Sequence, residues 1–352
     1  MALFEVKDVD RRIYEQELKD FLPDKIFDVH THVYLAALKD PQPPTPDGKP
    51  RTVRWPGMVA KEDSIEDLQE TYRLMFPDKK CEALMFTSGG ASVANNRYVA
   101  EASKKTGFPA LYYAHPEESA DEIEQRIREG HFLGLKGYLS FAPKYIPGDE
   151  VRIFDFFPHH QLERLNEMGG ILMLHIPRSG RLKDRVNLAQ MIEIYKKYPN
   201  IKMIIAHIGR AYTKGDVADA FEVLKEAPGM VFDFSANCNE YAITKCLEFG
   251  GPKQLLFGSD LPILRMRTRR ITENGTYINL VPKGLYGDVS IDPHMRELEG
   301  IEADALTFFL YEELLAFKRA CQTLGLTKQD VEDVIYNNAK SIVTAAEKSI
   351  YG

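Results

Sequence analysis

The sequence predicts an α/β fold, a single (β/α)8 TIM barrel, on three observations. Eight short apolar runs alternate with longer amphipathic stretches at about 25 to 40 residues per unit, the order expected of a barrel built from βα units. Runs one, five, six and eight each end on a histidine or an aspartate, and barrel closure would gather those ends around one axis. The Gly-rich phosphate loop that a doubly wound open sheet would carry after its first strand is missing. At 352 residues the chain is long enough for one such barrel.

The runs, in order, are "KIFDVHTH", "CEALMFTS", "FPALYYAH", "FLGLKGYLS", "GILMLHIP", "IKMIIAHIG", "GMVFDFSAN" and "KQLLFGSDLP". Each has the length of a strand, and most carry the bulky apolar residues of strands buried on both faces. Between them lie helical patterns. "EESADEIEQRIREG" sets Ile123 and Ile127 one turn apart and ends on Gly130. "KGDVADAFEVLKEAPG" puts Val217, Phe221 and Leu224 on one face and stops at Pro228-Gly229. Two long segments depart from a minimal barrel: Pro-rich "LKDPQPPTPDGKPRTVRWPG" after run one, and "ILRMRTRRITENGTYINLVPKGLYGDVSIDPHMRELEG" after run eight. Both leave the C-terminal ends of strands, where barrel enzymes keep their sites, and long loops there are usually functional. The tail closes with two helices, the last opening at Thr327 with Asp330 in a capping-box arrangement. No composition shift marks a second domain. The expected layout is one domain over 1–352: a helical extension at about 1–24, the barrel at about 25–270, and a loop insertion with C-terminal helices at about 271–352.

Composition narrows the function. A net charge of −7 gives no support to nucleic-acid binding. No signal-peptide pattern opens the chain and no apolar run approaches membrane-spanning length. The four cysteines lie far apart without CxxC spacing and read as free thiols of a reducing, cytoplasmic protein.

The polar residues at the strand ends carry the chemistry. Side chains two apart on a strand share a face, so His30 and His32 converge. The same alternation sets Ile171, Met173 and His175 together, then Met203, Ile205 and His207, then Leu256, Gly258 and Asp260, while Lys136 and Tyr138 share a face of run four. Singly, each histidine could be a satisfied structural residue. Together they supply the three or four N/O ligands that a catalytic divalent metal needs.

With these motifs in place the chain resembles the amidohydrolase-related family of the amidohydrolase superfamily. "DVHTH" on strand one, "LHIP" on five, "AHIGR" on six, "FGSDLP" on eight and the closing "VIYNNAKSIV" occur in the family's order over nearly the whole chain. The resemblance implies a metal-dependent barrel holding one divalent ion, zinc first among candidates. It places His30, His32, His175 and Asp260 as ligands, His207 as the residue that polarises substrate or activates water, and Asp260 as a shared proton acceptor. The activity it implies is hydrolysis, in which a metal-activated water attacks an amide, lactone or ester. The alternative is a metal-dependent decarboxylase of unsaturated or aromatic acids. The family's decarboxylases tend to carry an acidic residue after the strand-six histidine, where this chain has Gly209-Arg210. A catalytically silent barrel that only binds metal or ligand is a third reading, disfavoured because all five positions are kept.

Lys136 sits where binuclear members of the superfamily carry a carbamylated, bridging lysine; a structural ion pair or a substrate contact is the other role open to it. Asp233 and Ser235 read as hydrogen-bonding residues behind the ligands. His115, His159, His160 and His294 read as solvated or structural, and Trp55 as a packing residue or, with Tyr138, part of the pocket lining. Arginines crowd the segments after the catalytic strands, in an acidic chain: Arg178, Arg181, Arg210, Arg265, Arg267, Arg269 and Arg270. A guanidinium matches a carboxylate with two parallel hydrogen bonds, so the expected partner is a small anionic substrate gripped by Arg178, Arg210 or Arg265, with Tyr138 beside it. Arg269 and Arg270 are expected to be solvated surface charges or to pair with acidic neighbours. No nucleic acid or membrane is expected as a partner, and a homodimer is left open.

Overall fold

The computed structural model describes residues 3–40, 51–88 and 92–352. Eight parallel strands form the barrel: β1 (Lys25–His32), β2 (Lys80–Phe86), β3 (Tyr112–Tyr113), β4 (Gly134–Lys136), β5 (Ile171–Leu174), β6 (Lys202–Ile205), β7 (Val231–Asp233) and β8 (Leu255–Leu256). Ladders join β1 to β2 and β3 through β8. Single bridges, Met85 to Ala110 and Thr31 to Leu261, close the two gaps, and Val29 N–H donates to the Phe257 carbonyl at 3.0 Å across the β8–β1 seam. All eight apolar runs become strands, but most ladders are shorter than their runs. The run ends leave the sheet and turn into the site.

Inside the barrel pack Phe27, Val29, Leu84, Leu111, Ile171 and Met173 with Ile204 and Leu256. The closing helix Asn338–Tyr351 plugs the N-terminal end of this interior with Ala339, Val343 and Ala346. A larger core lies between the strands and the outer helices. Helix Ala120–Gly130 shows how local sequence builds that layer: Ser119 and Glu122 form a capping box, and Ile123 and Ile127 are fully buried on one face. Thr327 and Asp330 form the expected capping box on helix Lys328–Glu332. The single helical pattern expected at 214–227 breaks into Lys214–Val217, Ala220–Val223 and a 3-10 turn, because Ala218 takes a left-handed φ of 42°. Val217, Phe221 and Leu224 are buried all the same.

The segment after β8 is more than a loop. It folds into a three-stranded sheet of β9 (Arg269–Glu273), β10 (Thr276–Pro282) and β11 (Met295–Leu298). Asn274 (φ 49°) and Gly275 (φ 77°) form the hairpin turn between β9 and β10, a position where Asn-Gly relieves the positive-φ strain. Arg267 anchors the insertion, reaching back 257 residues to Asp10 with an Nη2–Oδ2 distance of 2.7 Å. Asp10 belongs to helix Asp8–Ile13, within the expected N-terminal extension. The Pro-rich loop at 41–50 lies outside the described residues.

Candidate active site

The site sits at the C-terminal ends of the strands, and departures from regular strand geometry aim its side chains. In β1, Phe27 and Val29 face the interior, so strict alternation would turn His30 and His32 outward. A register shift between Asp28 and Thr31 reverses the parity, and both imidazoles enter the barrel, with ring centres 5.6 Å apart. Strand six corrects the sequence reading in the same way. Ile204 and Ala206 line the interior, whereas Met203 and Ile205 pack on the outer core, so alternation does not deliver His207. Four consecutive left-handed residues, His207 to Arg210 (φ 48–60°), swing it inward. Asp260 is also left-handed, at φ 50°. Such strain persists where the surrounding structure over-determines it, commonly at functional sites.

Asp233, at the end of β7, organises the cluster. Its Oδ2 accepts from His30 Nδ1 at 2.9 Å. Its Oδ1 accepts from the His207 N–H at 2.8 Å, the Ser235 N–H at 3.1 Å and Ser235 Oγ at 2.5 Å. His207 Nδ1 lies 2.9 Å from the Ser235 carbonyl, and His32 Nδ1 2.7 Å from the Thr87 carbonyl. Carboxylates and carbonyls can only accept. All three imidazoles therefore carry their proton on Nδ1 and offer a bare Nε2. Asp28, in the middle of β1, ties the two ligand-bearing turns together: it accepts from the backbone N–H of His30 (3.0 Å) and of Ser259 (2.8 Å), and from Tyr72 Oη (2.7 Å). Burial pushes its carboxyl up to about 7 against those bonds.

The Nε2 atoms meet the carboxylate of Asp260. Its Oδ1 is 3.2 Å from His32 Nε2 and 3.5 Å from His30 Nε2. Two nitrogen lone pairs facing a carboxylate oxygen repel unless a positive charge lies between them. Burial lowers His30 to about 4 and also lowers His207, which disfavours protonating His30 and His207. A metal cation fits instead. Ligands about 2.1 Å from a tetrahedral metal stand about 3.4 Å apart, the spacing seen here. Donor atoms of His30, His207 and Asp260 all lie within 4.8 Å of one another. His175, whose ring centre is 5.3 Å from that of His207, has a buried Nδ1 with no hydrogen-bond partner among the described residues, and a cation or bound molecule would satisfy it. Lys136 is buried beside the cluster; desolvation lowers it to about 8, although Asp260 and Asp233 favour its charged form.

Above the cluster opens a cavity of about 810 Å³. All five motif residues line it, as do Lys136 and Tyr138. The arginine expectations divide. Arg210 lines the cavity. Arg265 does not: it pairs with buried Asp63 and donates to Thr71 Oγ1 at 2.8 Å, behind the wall. Nor does Arg178, whose Nε is 3.1 Å from Asp184. Conversely Arg270, expected to be solvated or ion-paired, lines the cavity on β9, as does His294, and Trp55 takes the pocket-lining one of the two roles open to it. Tyr212 and Tyr277 are further lining residues without a sequence signal; β10 of the insertion carries Tyr277. Asp233 and Ser235 take the supporting place expected of them.

The sequence matches the family model described as Amidohydrolase over residues 27–343. No curated protein matches the chain. Solved structures share the fold at low identity. One is a probable 2-pyrone-4,6-dicarboxylic acid hydrolase from Acinetobacter baumannii with citric acid bound (14% identity, TM-score 0.56, covering 91% of this chain and 99% of that one). Another is 4-oxalomesaconate hydratase from Rhodopseudomonas palustris (17%, TM-score 0.54, 92% and 97%). A third is a dihydroxybenzoic acid decarboxylase from Polaromonas sp. JS666 with manganese and 2-nitroresorcinol bound (13%, TM-score 0.51, 94% and 100%).

Proposed function

The chain belongs to the amidohydrolase family, and from that premise we propose a metal-dependent hydrolase that cleaves an amide, lactone or ester of a small carboxylated substrate. The observation that carries the reading is Asp260 Oδ1 set against two bare imidazole nitrogens at 3.2 and 3.5 Å. His30, His32, His175 and Asp260 would hold one divalent ion, with zinc the first choice for a set of imidazoles and one carboxylate. Bound there, the ion polarises a substrate oxygen and lowers the pKa of water from about 15.7 toward 7. His207 accepts the proton. Burial keeps its ring neutral, and its Nδ1–H is anchored on the Ser235 carbonyl, so Nε2 is the basic atom. Asp260 shares the proton and delivers it to the leaving group. Gly258 lets β8 pass close under His30: a Cβ there would lie 2.7 Å from that of His30.

No helix among the described residues is long and apolar enough to cross a membrane, and the four cysteines are free, in keeping with a cytoplasmic enzyme. The decisive experiment couples elemental analysis with a screen of lactone, amide and carboxylic-acid libraries, read for both acid and CO2 release. One metal per chain and acid release are expected. CO2 release would turn the reading to decarboxylation. No stoichiometric metal, and no gain on adding zinc or manganese, would overturn it.

A further inference from the structure

Lys136 and Tyr113 line the cavity outside the ligand set, and neither takes part in the hydrolysis proposed above. They are register partners on the adjacent parallel strands β4 and β3, which run about 4.8 Å apart. Tyr112 and Leu135, the residues before them, pack on the outer core, so both side chains point inward. On its other side Lys136 is in register with Met173, and its Nζ stands 5.1 Å from the centre of the Phe86 ring. The amine thus lies among apolar groups with one phenol beside it. It is only 1% exposed and makes no hydrogen bond or ion pair among the described residues. Tyr113 is 3% exposed, and its hydroxyl also has no partner among the described residues. The strand end that carries it is fixed: the Asn96 side chain accepts from the Tyr113 N–H at 2.9 Å and donates to its carbonyl at 3.1 Å.

A buried ammonium without hydrogen-bond acceptors is costly to keep. Desolvation lowers Lys136 to about 8, although Asp260 and Asp233 favour its charged form. The uncharged amine, with its lone pair free, is therefore within reach near neutral pH. A lysine desolvated in an apolar pocket is an activated nucleophile for carbonyl carbon. What such an amine needs beside it is a proton donor for the carbonyl oxygen. Burial raises the Tyr113 hydroxyl well above its ordinary range, so it keeps its proton and can donate it to a hydrogen bond.

We propose that Lys136 and Tyr113 form a carbonyl-reactive pair, in which Lys136 Nζ adds to a small aldehyde or ketone whose oxygen is held by the Tyr113 hydroxyl. The amine lone pair forms the C–N bond while the π electrons of the C=O bond move to oxygen, which takes up a proton to give a carbinolamine. That hydroxyl leaves with a second proton as water, both protons coming in net from the amine, and an imine remains. Its nitrogen then draws electrons from bonds at the neighbouring carbon, an activity distinct from attack by water on a carboxyl derivative. The pair goes beyond the hydrolase reading and does not depend on it.

Borohydride trapping tests the pair on full-length protein of measured metal content, in bicarbonate-free buffer. The probes are pyruvate, glyoxylate and benzaldehyde. Hydride converts the imine to a stable secondary amine, which peptide mass spectrometry locates. With at least one probe, Lys136 should be labelled tenfold or more faster than any other lysine. K136R should lose this selective adduct. Y113F should slow it tenfold or more with melting temperature and metal content unchanged, a split that a packing role for the hydroxyl would not give. The wild-type adduct maps itself, so the nucleophile is decided whether or not a variant folds. Lys136 labelled no faster than the surface lysines by all three probes, or Y113F labelled at the wild-type rate, would overturn the pair. Metal content separates the two readings: selective labelling of protein that binds no metal refutes the hydrolase and keeps the pair. Metal-loaded, hydrolytically active protein without the adduct refutes the pair alone.

Discussion

Replacing Asp233 by Asn tests whether hydrogen bonding behind the ligands sets their chemistry. The amide oxygen can take the place of Oδ1 and keep its three donors: the backbone N–H groups of His207 and Ser235, and Ser235 Oγ. The amide NH2 then falls where Oδ2 now accepts from His30 Nδ1 at 2.9 Å. Two donors would face each other, and His30 can relieve the clash only by moving its proton to Nε2, the atom that should bind the ion. A hydrogen bond to a charged group is worth about 1.5–3 kcal/mol, and losing the partner behind a ligand typically costs 10–100-fold in metal affinity. Because the wrong tautomer blocks the donor atom outright, D233N should lie near the 100-fold end, about 2.7 kcal/mol. Ser235→Ala keeps the Asp233–His30 bond, removing only the longer approach of Ser235 Oγ to His30 Nδ1 at 3.3 Å, and should cost less than tenfold. Competition titration against a chromophoric chelator gives the affinities, with melting curves to show that each variant is folded. Zinc binding by D233N within threefold of wild type would refute tautomer control.

His207→Asn should abolish turnover while retaining most of the metal, and His175→Ala should lose the metal; equal loss in both, by elemental analysis, makes His207 a ligand. Purified protein should hold close to one metal per chain without dependence on bicarbonate, whereas two metals, with activity restored by bicarbonate after stripping, would make Lys136 a carbamylated bridge. Glu313 is fully buried, no side chain among the described residues hydrogen-bonds its carboxylate, and desolvation raises its pKa well above the usual range against a backbone contact from Ala236. The folded state therefore keeps a proton that the unfolded chain releases above about pH 4.3, so this residue's contribution to stability is intact below that pH and falls by about 1.4 kcal/mol per unit above it. Urea denaturation between pH 5.5 and 7 should show Glu313→Gln losing less stability than wild type, and parallel curves would refute the assignment. Gly258→Ala should destabilise by about 1–3 kcal/mol, since the new methyl meets Cβ atoms at 2.7 Å (His30) and 3.3 Å (Ser235), and metal affinity should fall with it. Unchanged melting and metal binding would show that β1 and β8 can part there without cost.

The barrel was legible because strand order and buried apolar runs are local signals, and so were the five motif residues, each at the end of such a run. How those residues are aimed was only half legible. Alternation brings His175 inward correctly, following Ile171 and Met173. For His30 and His207 it reaches the right conclusion by the wrong geometry, since a register shift and a left-handed turn do the aiming, and neither leaves a periodic trace. The arginines show where local reading stops. Whether a guanidinium is free for a substrate depends on which carboxylate it meets after folding, and Arg265 finds Asp63 from 202 positions away. Arg269 and Arg270 are neighbours with the same expectation in sequence, yet β9 turns one of the two outward and the other into the cavity. That alternation was available once the hairpin turn at Asn274-Gly275 had been recognised as the middle of a sheet. The strand ends carry the histidines and Asp260, while β9 and β10 carry Arg270 and Tyr277 on the cavity wall, so the two sets of side chains that line the cavity belong to separate elements of the chain.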